Sequence, residues 1–152
     1  MRYHFYGNET KPIHPTNPQF VKIKGQRHLY ELLSEIWCEY TCAPRMREKW
    51  SKDNKTCGQC SITAFLTQDI FGGEVYGVPL GDGNFHCFNK IGDIVFDLTS
   101  EQFHDEKLDY KHVTKQKREA HFSENEKLER YIYLKNKLIE KLDAIPHADS
   151  YL

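Results

Sequence analysis

No stretch of this 152-residue sequence is apolar for long enough to cross a bilayer, which takes roughly 20 consecutive residues. The opening Met1-Arg2-Tyr3-His4-Phe5 also lacks the apolar core of a secretory signal. The expectation is a cytoplasmic protein with no membrane partner. Charge of one sign is missing too. Lysine and arginine number 21 against 22 aspartates and glutamates, for a formal net charge of −1, and the two signs are interspersed. That leaves no basic footprint for nucleic acid. The five cysteines are an odd number, so a disulfide framework would strand one thiol, and reduced cysteines fit a cytoplasmic chain better. Internal repeats and low-complexity tracts are absent. A chain of this length makes one domain, here 1–152, large enough to bury about two thirds of its unfolded surface.

The densest local signal is Thr56-Cys57-Gly58-Gln59-Cys60-Ser61-Ile62-Thr63-Ala64, where a polar, turn-rich approach becomes an apolar helical run. Thr56 and Gln59 have capping-box spacing, which predicts reciprocal side-chain bonds at a helix start. Cys60 then falls in the first turn, where unpaired N–H groups and the helix dipole favour a thiolate, the reactive form of cysteine. Taken alone, Cys60 also reads as a small buried hydrophobe.

On either side, Pro12, Pro15 and Pro18 make 1–27 an irregular arm. Leu29, Leu32, Leu33, Ile36, Trp37 and Tyr40 recur at helical spacing and predict a helix over 28–42, ended by Pro44. Cys38 and Cys42 would then share a helical face. A charged loop from Arg45 to Lys55 carries Trp50 and Asn54. The central helix is predicted over 57–71, buried on several sides, with Gly72-Gly73 as its stop. Strand periodicity follows over 74–99. His104, His112 and His121 in the polar stretch after Thr99 are expected to be solvated. A second capping box, Ser123 with Glu126, predicts a final helix over 124–143, with Ile132 on its apolar face and Lys127 on its wet one.

The strand region permits a geometric step. Gly92-Asp93 fits a two-residue hairpin turn that needs glycine first. Pairing Ile91 with Ile94 sets His86 opposite Thr99 and Phe88 opposite Asp97, all four on one side of the sheet. His86 and Asp97 become diagonal neighbours, roughly 7–8 Å apart at the backbone and within reach of a side-chain bond. The other side carries Phe85, Cys87, Ile91, Ile94, Phe96 and Leu98, and reads as core. Cysteine at a helix start, histidine on a strand and an acid on the next strand are what nucleophilic cysteine catalysis needs. The expected triad is Cys60, His86 and Asp97. Its oxyanion donors are the Cys60 backbone N–H with Gln59, Asn54 or Trp50.

Trp50, Asn54, Gly58-Gln59-Cys60 with Thr63-Ala64, Gln68-Asp69 with Gly72-Gly73-Glu74, His86 with Phe88-Asn89, Asp97-Leu98-Thr99 with Gln102-Phe103, and Arg130-Tyr131 with Leu134 together resemble the bacterial YunG-like proteins. The resemblance runs from about Leu29 to Leu142. It implies an α+β fold with a papain-like core of the transglutaminase or NlpC type: a cysteine-bearing helix on a small antiparallel sheet, flanked by N-terminal and C-terminal helices. Cys60, His86 and Asp97 fall at the family's corresponding positions. The sequence departs from the family pattern at Lys55, Cys57 and Ser100, which leaves the triad intact and alters the loops.

The expected function is a cysteine hydrolase or acyltransferase acting on a peptide or amide substrate through a thioester, with no cofactor and no metal. Two other readings stand beside it. One is a zinc or redox module on Cys57-x-x-Cys60, completed by Cys38 and Cys42. The other is a non-catalytic binding or accessory domain on the same scaffold.

Overall fold

The computed structural model describes residues 2–146; Met1 and 147–152, the ends of the expected single domain, lie outside the described residues. Its elements in chain order are α1 (Gln26–Ser34), α2 (Cys60–Phe71), β1 (Glu74–Pro79), β2 (Phe85–Ile91), β3 (Ile94–Phe96), β4 (Thr114–Lys115), α3 (Arg118–His121) and α4 (Asn125–Asp143), with 3₁₀ turns at Pro18–Phe20, Pro44–Lys49 and Ser100–Phe103. The architecture is α+β, with one antiparallel sheet in the order β3-β2-β1-β4.

α2 lies at the centre. Ile62, Ala64, Phe65, Leu66, Ile70 and Phe71 are all buried. Because these positions point in several directions, the sheet closes on one side of α2 and α4 on another. Gly72, at φ +82, takes the left-handed turn that ends the helix, and its N–H donates to the Gln68 carbonyl, a conformation glycine adopts without steric cost. Asn89 locks helix to sheet: its buried Nδ2 donates to the Ala64 carbonyl at 2.9 Å.

Several expected boundaries move for identifiable reasons. The helix expected over 28–42 stops at Ser34, because the Thr41 hydroxyl bonds both the N–H and the carbonyl of Cys38 and holds a turn there. Side-chain hydroxyls of this kind compete with helical pairing. Cys38 and Cys42 therefore share no helical face. Neither capping box forms. α2 begins at Cys60 rather than at residue 57, with no side-chain cap, because the Gln59 amide is drawn to the Cys38 carbonyl. At α4 the Ser123 hydroxyl turns back to Ala120, and Glu126 is taken by the buried Arg130.

The arm over 1–27 is irregular but not superficial, since Phe5, Phe20 and Ile23 belong to the core. Ile132 is 46% exposed and gives its place on the buried face to Leu134. The two-residue β4 lies within the stretch read from the sequence as polar, for which no strand was expected.

Candidate active site

The hairpin sets the geometry. Ile91 pairs with Ile94 and Asn89 with Phe96, and Gly92 has φ +59, as a turn with glycine first requires. Continued beyond β3, that register puts His86 and Asp97 diagonally across one face. His86 Nε2 and Asp97 Oδ2 are 2.6 Å apart, each residue 1% exposed. The ladder itself stops at Phe96. From there the arm takes over: Asp97 N–H donates to the Tyr6 carbonyl at 2.9 Å, and Tyr6 N–H donates to Ser100 Oγ at 2.8 Å.

The Asp97 carboxylate is fully engaged. Oδ2 also accepts from the Tyr110 hydroxyl at 2.7 Å, and Oδ1 from the Thr99 N–H at 3.2 Å. Tyr110 stacks on Tyr6 at 4.1 Å and meets Phe88 edge-on, while Phe103 meets the His86 ring edge-on. This polar face of the hairpin is therefore roofed. Sequence reasoning missed Tyr110, which lies in the polar stretch after Thr99 where no spacing marked it, and quoted Phe103 only as part of the family resemblance, with no role. On the opposite face Cys87, Phe96 and Leu98 are core, but Phe85 is 37% exposed, because it sits at the rim of a cleft.

Cys60 is the first residue of α2 and half-buried. At this position its N–H and that of Ser61 have no carbonyl one turn back to pair with. Gly58 shapes the approach. Its φ is +69, and a Cβ there would stand 2.5 Å from Cys42 Sγ and 2.9 Å from the Ala43 nitrogen, so any larger residue would displace the turn that delivers Cys60.

The three side chains are coupled electrostatically. The Cys60 thiol is held well below its ordinary pKa, first by a hydrogen bond from the Cys87 thiol and then, against the cost of burial, by the neighbouring His86. Burial alone would lower the pKa of His86, but the Asp97 carboxylate and Cys60 outweigh it and raise the ring to about 10. With Nε2 given to Asp97, the nitrogen left for Cys60 is Nδ1, which is buried and has no hydrogen-bond partner. Both shifts act in the direction that favours a thiolate beside a protonated imidazole. Cys87, read from the sequence as core alone, is thus also the neighbour that most lowers the Cys60 pKa, and that contact, followed by burial, pushes its own pKa well up.

Cys60, His86 and Cys87 line a cleft of about 230 Å³ that also includes Gln102 and Phe103. The three candidate oxyanion side chains do not join them there. Gln59 is fully buried, with Nε2 donated to the Cys38 carbonyl at 3.1 Å. Asn54 lines a separate depression beside Trp37 and His104. Trp50 lines neither, and its Nε1 donates to the Lys55 carbonyl. The side-chain amides that do line the cleft are Asn84, Gln116 and Gln102, the last with its Oε1 accepting from the Gly58 N–H at 3.3 Å.

Cys38, Cys42 and Cys57 do not line the cleft with Cys60. Cys42 and Cys57 adjoin each other, and burial pushes Cys42 up to about 12 and raises Cys57. Among the described residues, no three or more His, Cys, Asp or Glu side chains gather as a metal would require. No helix among them is long and apolar enough to cross a membrane.

Fold and site together define an α+β protein in which a cysteine in the first turn of a helix faces a histidine on a β-hairpin and an aspartate just past its end. By sequence, the chain belongs to the YunG family: the family described as "YunG protein" matches residues 25–143. The chain is 31% identical over 118 residues to "Uncharacterized protein YunG" of Bacillus subtilis (strain 168), covering 78% of this chain and 95% of that protein. No solved structure matches.

Proposed function

We propose that this protein is a cysteine hydrolase or acyltransferase that cleaves an amide or peptide bond through a thioester, on a papain-like scaffold. The observation that carries this reading is the disposition of the two His86 ring nitrogens, Nε2 on Asp97 and Nδ1 without a partner, beside a cysteine whose pKa is depressed.

In the first half-reaction the Cys60 thiolate attacks the carbonyl carbon. A C–S bond forms, and the carbonyl π electrons move onto oxygen. The resulting oxyanion meets the Cys60 N–H at the positive end of α2, with Gln102 as a nearby amide, in place of Gln59, Asn54 and Trp50. As the tetrahedral adduct collapses, the C–N bond breaks and Nδ1–H of His86 protonates the departing amine. In the second half, water or an acceptor amine gives its proton to Nδ1 as it attacks the thioester, and the thiolate leaves. Asp97 stays ionised throughout and holds the ring.

Timed alkylation with iodoacetamide at pH 7, followed by mass spectrometry of the five cysteines, tests the reading. Cys60 should react first. Cys42, Cys57 and Cys87 should resist, because their thiols are pushed up, and His86→Ala should slow Cys60 selectively. Equal labelling of all five sinks the proposal.

A further inference from the structure

The charged side chains around the Cys60 cleft are of one sign. Arg45, Lys127 and Arg130 line it with His86 and His121, and no aspartate or glutamate does, although acids outnumber bases in the chain as a whole. The cations have different partners. Arg130 is structural: it is 2% exposed, paired with Glu126, and donates to the Thr41 carbonyl at 2.9 Å. Lys127, expected on the wet side of α4, has only Glu124 at 3.6 Å, and that glutamate side chain is 62% exposed. The field of the Lys127 ammonium reaches inward to the Cys87 sulfur and to His121. Arg45, on the Pro44–Lys49 turn across the cleft, makes no ion pair within 4 Å among the described residues; its charge acts on Asp82, a fully exposed carboxylate that does not line the cleft.

His121 adds an unmet hydrogen bond. Far from being solvated, its ring stacks on Phe65 at 4.9 Å, and its Nε2 is buried without a partner. Burial, followed by the nearby Lys127, Arg130 and Arg118, lowers it to about 3. It is therefore neutral at pH 7, with one ring nitrogen available as an N–H donor. A buried polar atom without a partner costs on the order of 1–3 kcal/mol, which a bound acceptor would relieve.

We propose that the cleft selects an acyl donor bearing a free carboxylate near the scissile amide, seated between Lys127 and Arg45 and accepting from His121. The inference rests on the reading of Cys60 as nucleophile and names the substrate class of that same site.

Two alkylating reagents of nearly the same size separate the claims. Iodoacetate carries the carboxylate and iodoacetamide does not, so the ratio of their rates at Cys60 reports recognition of the anion. His86 contributes to this ratio in every variant, and the effect of Lys127→Gln and Arg45→Gln is read against that background. Each variant should lower the ratio about fivefold to tenfold in low salt, as loss of a unit charge near the reagent at intermediate dielectric requires. Lys127→Arg should restore most of it. Arg45 is exposed, so its variant serves even if Lys127→Gln fails to fold. A ratio that stays within twofold in the folded variants overturns the inference while leaving the thioester chemistry standing. Iodoacetamide labelling that does not distinguish Cys60 from the other cysteines removes both.

Discussion

Cys60 and His86 are placed by elements adjacent in the chain, whereas Asp97 is placed by segments remote from it. The first pair depends on the start of α2, the β1–β2 run that follows and the Asn89 bond back to Ala64. Asp97 lies one residue past the end of its strand and is gripped by Tyr6 from the N-terminal arm and Tyr110 from beyond the Ser100–Phe103 turn. On the proposed reading the near half supplies the nucleophile and its proton carrier. The far half supplies a fixed charge, a roof that excludes water and a lock on the ring. Reactivity and rigidity are thus assigned to different parts of the chain, and substitutions in the two should fail in different ways.

The sharpest break in that comparison is at the residue where the halves meet. His86→Ala should move the pH inflection of Cys60 alkylation upward, toward the ordinary thiol range near pH 8.5, with the Cys87 contact still opposing the shift. At pH 6 it should slow labelling by about tenfold, because the lost thiolate fraction outweighs the gain in intrinsic nucleophilicity. Asp97→Asn should reproduce most of this effect, since burial then lowers the His86 pKa against the Cys60 contact alone. The pair also gives stability a signed pH dependence. His86 is raised, so its contribution is complete below about pH 6.5 and fades as pH climbs through about 10. Cys60 is depressed, so its contribution is complete above the unfolded thiol pKa and fades as pH falls through its folded value. Urea melts of the parent and Cys60→Ser at pH 7 and pH 10.5 check this. The parent's advantage should shrink at the higher pH, and a constant difference contradicts the ion pair.

Within the near half, Gly58→Ala is the strongest test of backbone geometry. A left-handed alanine costs about 1–2 kcal/mol, and the clash with Cys42 Sγ and Ala43 adds about 1–3 kcal/mol of overpacking. A total near 3 kcal/mol corresponds to a fall in Tm of about 6–12 °C for a chain of this size. Calorimetry should show that loss, together with slower Cys60 labelling, because the same turn delivers the sulfur.

Legibility in the sequence follows the same division. Hairpin parity alone placed His86 beside Asp97, because a side-chain period of two leaves little freedom once Gly92-Asp93 is the turn. The glycine stop of α2 was legible for a similar reason, since one residue fixes one conformation. The supports of Asp97 were not. Tyr6 and Tyr110 lie 91 and 13 residues from it, in segments without periodicity, and only packing brings them together. The capping boxes misled because local propensity is weak against a tertiary competitor: Gln59 went to Cys38 and Glu126 to Arg130. The oxyanion candidates failed for a related reason. A loop that precedes the nucleophile in sequence need not line its cleft, and Asn54 and Trp50 are turned to other neighbours.

Tyr110→Phe probes the far half at smaller amplitude. It deletes one hydrogen bond to the Asp97 carboxylate and preserves the ring that stacks on Tyr6 and covers Phe88. A bond of this type contributes about 1.5–3 kcal/mol, so denaturation midpoints should fall accordingly. The carboxylate keeps its charge and its contact with His86, so Cys60 labelling at pH 7 should change by less than about threefold. A large drop in labelling with little loss of stability would reverse the comparison and make the far half a direct partner in the chemistry.

The smallest effect belongs to Cys57→Ser, which separates the two cysteines of the Cys57-x-x-Cys60 pair. Cys57 is buried with a raised pKa beside Cys42 and does not line the cleft; its sulfur lies 3.9 Å from the Met46 carbonyl. Serine nearly matches its volume and can donate to the same carbonyl, so stability should fall by less than about 1.5 kcal/mol. Labelling of Cys60 should remain within twofold of the parent. If the two residues worked as a dithiol, the substitution would abolish any oxidised form linking them, and a mass loss of two hydrogens on mild oxidation would appear in the parent and disappear in the variant. The separate surroundings of the sulfurs, Cys42 for one and Cys87 with His86 for the other, lead instead to indifference at Cys60. The spacing that makes the two look like one motif arises because a left-handed Gly58 must come between the buried strut and the reactive residue.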